Sequence, residues 1–214
     1  DLIEAEKLKQ QLSLSLLQQQ VNPHFLYNTL DNICALAELD EKETLIQLVM
    51  NLSSFYRSSL SNGKMHISIG QELEISRAYL EILQIRYFHK FDFTITCPEA
   101  LKNYSCIKLL LQPILENSIY HGIKGLDRHG ILHIEAEDAG DCIRFTISDN
   151  GRGFSKEDYE KIWQQDADHF GIKSIQQRIL LYYGPGYGLS MESPQTGGCI
   201  TVITLPKQEG LPCH

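Results

Sequence analysis

The 214-residue sequence lacks three features that would each assign it to a large class of proteins. It has no run of about 18 apolar residues that could cross a bilayer as a helix, and no secretory signal peptide. It also has no excess of basic residues, since 19 Lys and Arg against 27 Asp and Glu give a net charge of −8. Proteins that bind nucleic acids or membrane surfaces need a basic footprint, so the composition argues against both classes.

The spacing of the cysteines indicates neither a metal site nor a set of disulfides. All six are scattered, without a CxxC pair or a metal-ligand spacing, and we interpret them as free thiols of a reducing cytosol. A hydrophobic content of 43% with 21% charged residues is ordinary for a globular protein. The chain starts at Asp1 within a helical pattern and without a methionine, so we expect it to be a fragment of a longer protein.

The most unusual stretch is residues 22–28, where a proline directly precedes a histidine between two helical patterns. Proline removes a backbone donor, so either the helix kinks or a new helix starts with Asn22 as its cap and Pro23 in its first turn. Both readings place His24 at a bend, projecting away from the apolar positions downstream. Such an imidazole is available for chemistry, although an ordinary surface histidine behind a structural kink is the alternative.

Three amphipathic helices are predicted in the first 90 residues. The first extends on both sides of the proline to about residue 38, and its downstream apolar seam is Leu26, Leu30, Ile33 and Ala37. The second ends near residue 61, and its apolar face is Leu45, Leu48, Val49, Leu52, Phe55 and Tyr56. Two such helices cannot enclose a core, so we expect a homodimer in which two hairpins form a four-helix bundle. The third helix is predicted over residues 70–87.

The remainder of the chain reads as a mixture of strands and helices. Alternation of apolar and polar residues predicts strands at 91–95, 131–137, 142–148, 188–192 and 200–205. Helical patterns cover 107–120 and 171–183, and a polar segment without firm periodicity reaches about residue 170. This order predicts the α+β class, with an antiparallel or mixed sheet covered by helices on one face. We divide the chain into 1–65, 66–104 and 105–214.

One candidate site lies on the helix predicted to end near residue 120. Asn117, His121 and Lys124 share one helical face. An amide oxygen is a ligand that Mg²⁺ accepts beside phosphate oxygens and water. A buried, hydrogen-bonded asparagine is the alternative.

Glycines mark two further candidate sites. Asp149 is followed by Gly151 and Gly153 at a strand end, where the backbone can approach a ligand and the carboxylate can accept from an amino group. A plain hairpin turn is the alternative, because Asn-Gly is a strong turn signal. Gly171 opens a helix, which suits either a phosphate-facing helix N-terminus or a simple cap.

In this order, the motifs resemble those of the sensor histidine kinases of the LytS/YesM type. Residues 22–28 (NPHFLYN) are similar to that family's phospho-acceptor motif, and residues 109–122 to its N box. Residues 149–153 (DNGRG) resemble its first glycine box and residues 169–179 its second. The resemblance covers almost the whole chain.

The resemblance implies a dimerising phospho-acceptor hairpin followed by an ATP-binding GHKL (Bergerat) domain with an α/β-sandwich fold. It implies ATP and Mg²⁺ as cofactors, a response regulator as partner, and a cytoplasmic location beneath a membrane sensor that lies upstream. His24 would be phosphorylated with Asn28 as a second catalytic residue, Asn117 would bind Mg²⁺, and Asp149 would accept from the adenine amino group. The other residues that it assigns to nucleotide binding are His121, Lys124, Gly151, Gly153 and Gly171.

The sequence departs from the family pattern around the expected ATP lid. His169 and Phe170 precede Gly171 where the family has Gly-Ile, Ser174 replaces a usual Asn, and Cys199 replaces a usual Thr. These changes bear on phosphate contacts, and they keep two alternatives open, an ATP-sensing module without phosphoryl transfer and an ATPase that hydrolyses. The histidine at the bend favours the kinase. We also expect residues 154–170 to form a mobile lid with few apolar anchors.

Overall fold

The structure, a computed structural model, describes residues 23–60, 65–163 and 170–209. The pattern upstream of Pro23, including Asn22 and its helical seam, lies outside the described residues. The first elements are α1 (Pro23–Glu38), α2 (Lys42–Ser59), β1 (His66–Ser68), α3 (Ile69–Arg86), β2 (Phe91–Thr96), a 3₁₀ turn (Glu99–Leu101) and β3 (Ser105–Ile107). The remaining elements are α4 (Gln112–Asn117), a π-helix (Ser118–Ile123), β4 (Gly130–Asp138), β5 (Cys142–Asp149), α5 (Lys156–Trp163), α6 (Phe170–Tyr183), β6 (Gly188–Glu192) and β7 (Cys199–Pro206).

A five-stranded mixed sheet forms the second half of the protein. Its strand order is β2-β4-β5-β7-β6, in which β2 and β4 are parallel and every other pair is antiparallel. Side chains of β4, β5 and β7 alternate, so that one face is buried in a core shared with α3, α4 and α6. The predicted α+β class, with a mixed sheet and helices on one face, is confirmed. No helix of the described residues is both long and apolar enough to span a membrane.

The helical hairpin packs on α3. The ring of Phe25 in α1 lies 5.0 Å from that of Tyr79 in α3 and 5.3 Å from that of Phe55 in α2. These contacts, together with a Thr29 hydroxyl that donates to the carbonyl of Phe25, bury the α1 face at positions 25 and 29. The core of the hairpin is thereby continuous with the core under the sheet.

The buried face of α1 corrects the predicted seam. Phe25 is 2% exposed, whereas Leu30 is 43% exposed and Ala37 is exposed. In α2, Leu48 and Phe55 are buried as predicted, but Val49 is 42% exposed. The reason is that α1 packs against both α2 and α3. The face that it buries is therefore shifted by one residue from the face that periodicity predicts. An apolar outer face remains, and it consists of Tyr27, Leu30, Ile46, Val49 and Met50.

Two further element boundaries differ from the sequence prediction. The helix predicted over 107–120 begins only at Gln112, because residues 105–107 pair with β1 and Leu109 adopts a positive φ of 55°. Within the segment predicted to lack periodicity, α5 forms. Its start is capped reciprocally, since the Ser155 N–H donates to the Asp158 carboxylate while the Asp158 N–H donates to the Ser155 hydroxyl.

The segment that begins at Phe154 is also better anchored than predicted. The Phe154 ring stacks on Tyr159 at 5.9 Å, and Tyr159 meets Trp163 edge-on at 6.1 Å. This aromatic row packs against a small buried cluster of Ile172, Met191 and Cys199. The expectation of few apolar anchors was therefore wrong for this part of the segment, while residues 164–169 lie outside the described residues.

Candidate functional site

Two adjoining cavities form one cleft beside the end of β5, the central strand of the sheet. Their volumes are about 200 Å³ and 170 Å³, and Asn117 and His121 line both. The larger cavity is closed by the end of β5 and the loop after it, and the smaller one by α4 and the start of α6. The walls of the cleft therefore come from elements that are far apart in the chain. The structure brings together five of the predicted site residues, Asn117, His121, Asp149, Gly153 and Gly171.

Asp149 is a buried acceptor at the wall of the larger cavity. Its Oδ1 accepts a hydrogen bond of 2.9 Å from the Gly151 N–H, but its buried Oδ2 has no partner of standard hydrogen-bond geometry among the described residues. Burial raises the pKa of Asp149, while contacts with the Ser118 hydroxyl and the N–H groups of Gly151 and Cys199 oppose the shift. A buried oxygen without a donor is costly, so this site suits a ligand that donates a hydrogen bond.

The glycines around Asp149 leave room for the backbone to turn closely. A Cβ on Gly151 would lie 2.6 Å from Asp149 Oδ1 and 2.7 Å from the Cα of Gly122. Gly153 has a φ of +71°, which a residue with a side chain adopts only with strain. Asn150 is structural, because its side chain bonds the backbone of Ile131. The loop is thus a close-packed wall of the cleft, whose geometry depends on the glycines.

Two buried side chains of opposite charge hold the turn that leads into α4. Glu72 of α3 accepts from the N–H groups of Leu109 (2.8 Å) and Leu111 (2.9 Å). Arg178 of α6 donates to the carbonyls of Lys108 and Leu109. Both charged side chains are 1% exposed. Two helices from different parts of the chain therefore fix the backbone from which α4 carries Asn117 to the cleft.

A π-helix directly follows Asn117. Such widened turns are frequent at functional sites, and this one places His121 at the cleft. Lys124, by contrast, lines neither cavity, so its nucleotide contact stays a prediction. The Lys124 ammonium lies 5.8 Å and 5.9 Å from the ring centres of Tyr120 and Tyr87.

The second glycine-rich region is only partly at the cleft. Gly171 lines the smaller cavity, and a Cβ there would lie 3.2 Å from Pro113 Cβ. Ser174 is buried on the same helix and lines neither cavity. Cys199 lines the larger cavity, and burial raises the pKa of its thiol to about 11. His169 lies outside the described residues.

His24 stands apart from the cleft within this chain. It is exposed in the first turn of α1 and lines neither cavity. The Asn28 amide nitrogen lies 3.2 Å from its Nδ1 and 3.1 Å from its Nε2. Asn28 is therefore placed to orient the ring, and the other face of the ring is open to a partner.

Sequence reasoning missed several cleft residues. They are Ser118, Tyr120, Phe154 and Asp158. Phe154 and Asp158 could have been found from the Ser155-x-x-Asp158 spacing, which is a helix-start signal. The others carry no local signal, since only the packing of α4 and the π-helix against β5 directs them to the cleft.

Comparison with known proteins identifies the family to which the chain belongs. A family model described as histidine kinase matches residues 12–91, and one described as histidine kinase-, DNA gyrase B- and HSP90-like ATPase matches residues 104–209. The chain belongs to the histidine kinases. The resemblance to the LytS/YesM type is confirmed, as is the GHKL fold of the second half.

Curated relatives match this kinase chain over most of its length. Sensor histidine kinase YesM of Bacillus subtilis (strain 168) is 32% identical over 204 residues, which are 95% of this chain and 35% of YesM. Sensor histidine kinase BtsS of Escherichia coli (strain K12) is 33% identical over 181 residues, 85% of this chain and 31% of BtsS. The chain thus spans about a third of the length of the curated relatives it matches.

Solved structures support the fold of the kinase. The nucleotide-free catalytic domain of histidine kinase ThkA superposes with a TM-score of 0.53 at 16% identity, covering 68% of this chain and 97% of that domain. A crystal structure of ThkA in complex with the response regulator protein TrrA gives a TM-score of 0.52 at 16% identity, covering 95% of this chain and 65% of the ThkA chain. At this identity, the likeness concerns the fold alone.

Proposed function

We propose that this chain is the core of a sensor histidine kinase that binds MgATP, autophosphorylates on His24 and passes the phosphoryl group to an aspartate of a response regulator. One observation carries the nucleotide assignment. Asp149 presents a buried Oδ2, without a partner of standard hydrogen-bond geometry among the described residues, at a glycine-walled cleft of a GHKL fold. An adenine amino group supplies the donor that this oxygen lacks, and the fold is that of an ATPase domain.

The residues at the cleft also suit the metal ion that accompanies ATP. The described residues contain no cluster of three His, Cys, Asp or Glu side chains that could form an all-protein metal site. In nucleotide sites, Mg²⁺ instead binds through one or two protein oxygens, and phosphate oxygens and water complete its coordination shell. Asn117 would hold the ion through its amide oxygen, and the ion supplies charge neutralisation at the phosphates.

Phosphoryl transfer then needs positioning more than covalent work by the protein. An unprotonated ring nitrogen of His24 forms a bond with the γ-phosphorus, the bond from that phosphorus to the β–γ bridging oxygen breaks, and ADP leaves. The proton remains on the other ring nitrogen of His24. Asn28 orients the ring, because its side-chain amide lies within hydrogen-bond distance of both ring nitrogens.

A second copy of the chain completes the proposed assembly. The outer face of the hairpin leaves Tyr27, Leu30 and Met50 exposed at 67%, 43% and 61%. Apolar residues on one side of two adjacent helices favour the four-helix bundle of a homodimer. The response regulator is proposed as a further partner by analogy with the ThkA–TrrA complex, and an upstream membrane sensor by analogy with the longer relatives.

Incubation with γ-labelled ATP tests the proposal. We expect base-stable, acid-labile label on the chain, its loss in His24→Ala, and loss of both label and MgATP binding in Asp149→Ala. Asn117→Ala should also lose label while the hairpin remains folded and dimeric. Label that survives in His24→Ala contradicts the phospho-acceptor assignment, whereas phosphate release without label identifies a hydrolysing ATPase.

A further inference from the structure

One tyrosine side chain bridges the cleft and the helix that carries the phospho-acceptor. Tyr79 lies in the middle of α3 and is fully buried. Its hydroxyl donates a 3.1 Å hydrogen bond to Glu116 Oε1, and the Gln112 amide donates to the same oxygen at 3.0 Å. Glu116 directly precedes Asn117, and both line the smaller cavity. The hydroxyl end of Tyr79 is therefore bonded to the wall of the cleft.

The ring of Tyr79 contacts the helical hairpin. Its centre lies 5.0 Å from that of Phe25 and 5.8 Å from that of Phe55. Phe25 follows His24 in the first turn of α1 and is 2% exposed. Since close-packed rings cannot shift without moving their neighbours, a displacement of the Tyr79 ring must also displace the Phe25 ring.

We infer that Tyr79 is a positioning residue that couples occupancy of the nucleotide cleft to the helix carrying His24. A nucleotide and its cation beside Asn117 change the charge that Glu116 faces, and the hydrogen bond to Glu116 carries this change to the Tyr79 ring. The ring then biases Phe25 and the first turn of α1. By linkage, the arrangement of the hairpin changes nucleotide affinity in return. The inference rests on the proposed function only for the identity of the ligand.

The alternative is that Tyr79 only fills the core, and a matched pair of variants separates the two roles. Tyr79→Phe keeps the ring and removes the hydroxyl that bonds Glu116. Tyr56→Phe is the control, because the Tyr56 ring lies 5.3 Å from that of Phe55 in the same aromatic group, and its buried hydroxyl has no hydrogen-bond partner within the described part of the chain. The readout is hydrogen exchange of the α1 amides with and without a non-hydrolysable ATP analogue with Mg²⁺, with calorimetry as the measure of binding.

We expect the analogue to change exchange in α1 in the wild type and in Tyr56→Phe, and the change to be lost in Tyr79→Phe although the analogue still binds. At saturating ATP, autophosphorylation of Tyr79→Phe should fall about tenfold, as expected for loss of one hydrogen bond to a charged group. Phe25→Leu breaks the other end of the bridge, and it should abolish the exchange response without altering the hydrogen bond at Glu116.

Two results overturn the inference while leaving the proposed function intact. One is an exchange response of wild-type size in Tyr79→Phe or in Phe25→Leu. The other is a wild type that binds the analogue with no change in α1. Absence of binding in the wild type refutes the nucleotide assignment itself, and calorimetry reports that outcome separately. If Tyr79→Phe does not fold, Phe25→Leu decides the question, since Phe25 lines neither cavity.

Discussion

The buried pair of Glu72 and Arg178 allows a stability prediction with a definite magnitude. Both oxygens of Glu72 are used, one by the N–H of Leu109 and the other by that of Leu111. Glu72→Gln preserves the volume of the side chain but replaces one acceptor by an amide donor, which then faces a backbone N–H. It also leaves Arg178, 1% exposed, without its counter-charge.

Each loss has a known scale. A buried N–H without an acceptor costs about 1–3 kcal/mol, and loss of the electrostatic attraction to the buried Arg178 adds to this cost. We therefore expect Glu72→Gln to lower the free energy of unfolding by about 2–3 kcal/mol. Because a domain is stable by only about 5–15 kcal/mol, a loss of this size is easily measured.

Urea unfolding followed by circular dichroism is the assay, with Glu137→Gln as the control. Glu137 accepts from Arg144 at 2.8 Å, but both side chains are nearly half exposed. An exposed pair contributes at most about 1 kcal/mol, so the control should barely change the unfolding midpoint. If Glu72→Gln is no less stable than Glu137→Gln, the hydrogen bonds of Glu72 do not hold the turn before α4 and do not fix the position of Asn117.

Three further predictions concern the cleft and the bend. Because burial raises the pKa of Asp149, its protonated carboxyl group favours the folded state at low pH, and this contribution is lost as pH rises through the raised pKa and the buried group ionises. Asp149→Asn should therefore increase the thermal midpoint of the nucleotide-free protein at neutral pH and remove the further increase that MgATP produces, and a lowered midpoint would contradict this. Gly151→Ala should weaken MgATP binding in calorimetry, since its Cβ would displace the Asp149 carboxylate, whereas Gly125→Ala, with nothing within 4 Å, should bind as the wild type does. Pro23→Ala should restore the missing backbone donor and straighten the helix at His24, and so change the rate of autophosphorylation several-fold with unaltered MgATP affinity; an unchanged labelling rate would show that the bend does not affect His24.

Local rules account for much of the fold that could be predicted from the sequence. The limits of β4 and β5 follow from strict alternation, because neighbouring side chains of a strand point to opposite faces. The start of α3 follows from Ser68 and Gln71, whose side chains and backbones bond each other reciprocally across three residues. The sequence also marked Asp149 and its glycines, since a carboxylate followed by flexible backbone is visible without knowing what surrounds it.

The remaining features depend on partners that are distant in the chain. Periodicity alone could not choose between Leu26 and Phe25 as the buried residue of α1, because that choice is made by the rings on α2 and α3. The turn at Leu109 requires acceptors and donors from residues 37 and 69 positions away.

The phospho-acceptor site around His24 could be predicted from the sequence more fully than the cleft could, because its residues are close together in the chain. His24 and Asn28 are one helical turn apart, so their contact follows from helix geometry. The cleft, by contrast, exists only where α4, β5 and α6 converge. The tertiary structure alone decides that Glu116 bonds Tyr79 across the cleft wall, and that Lys124 packs on the rings of Tyr87 and Tyr120 and lines neither cavity. The sequence by itself determines which functional side chains are present and which of them local helix or turn geometry brings together. Burial and long-range packing decide which of these side chains face a common ligand.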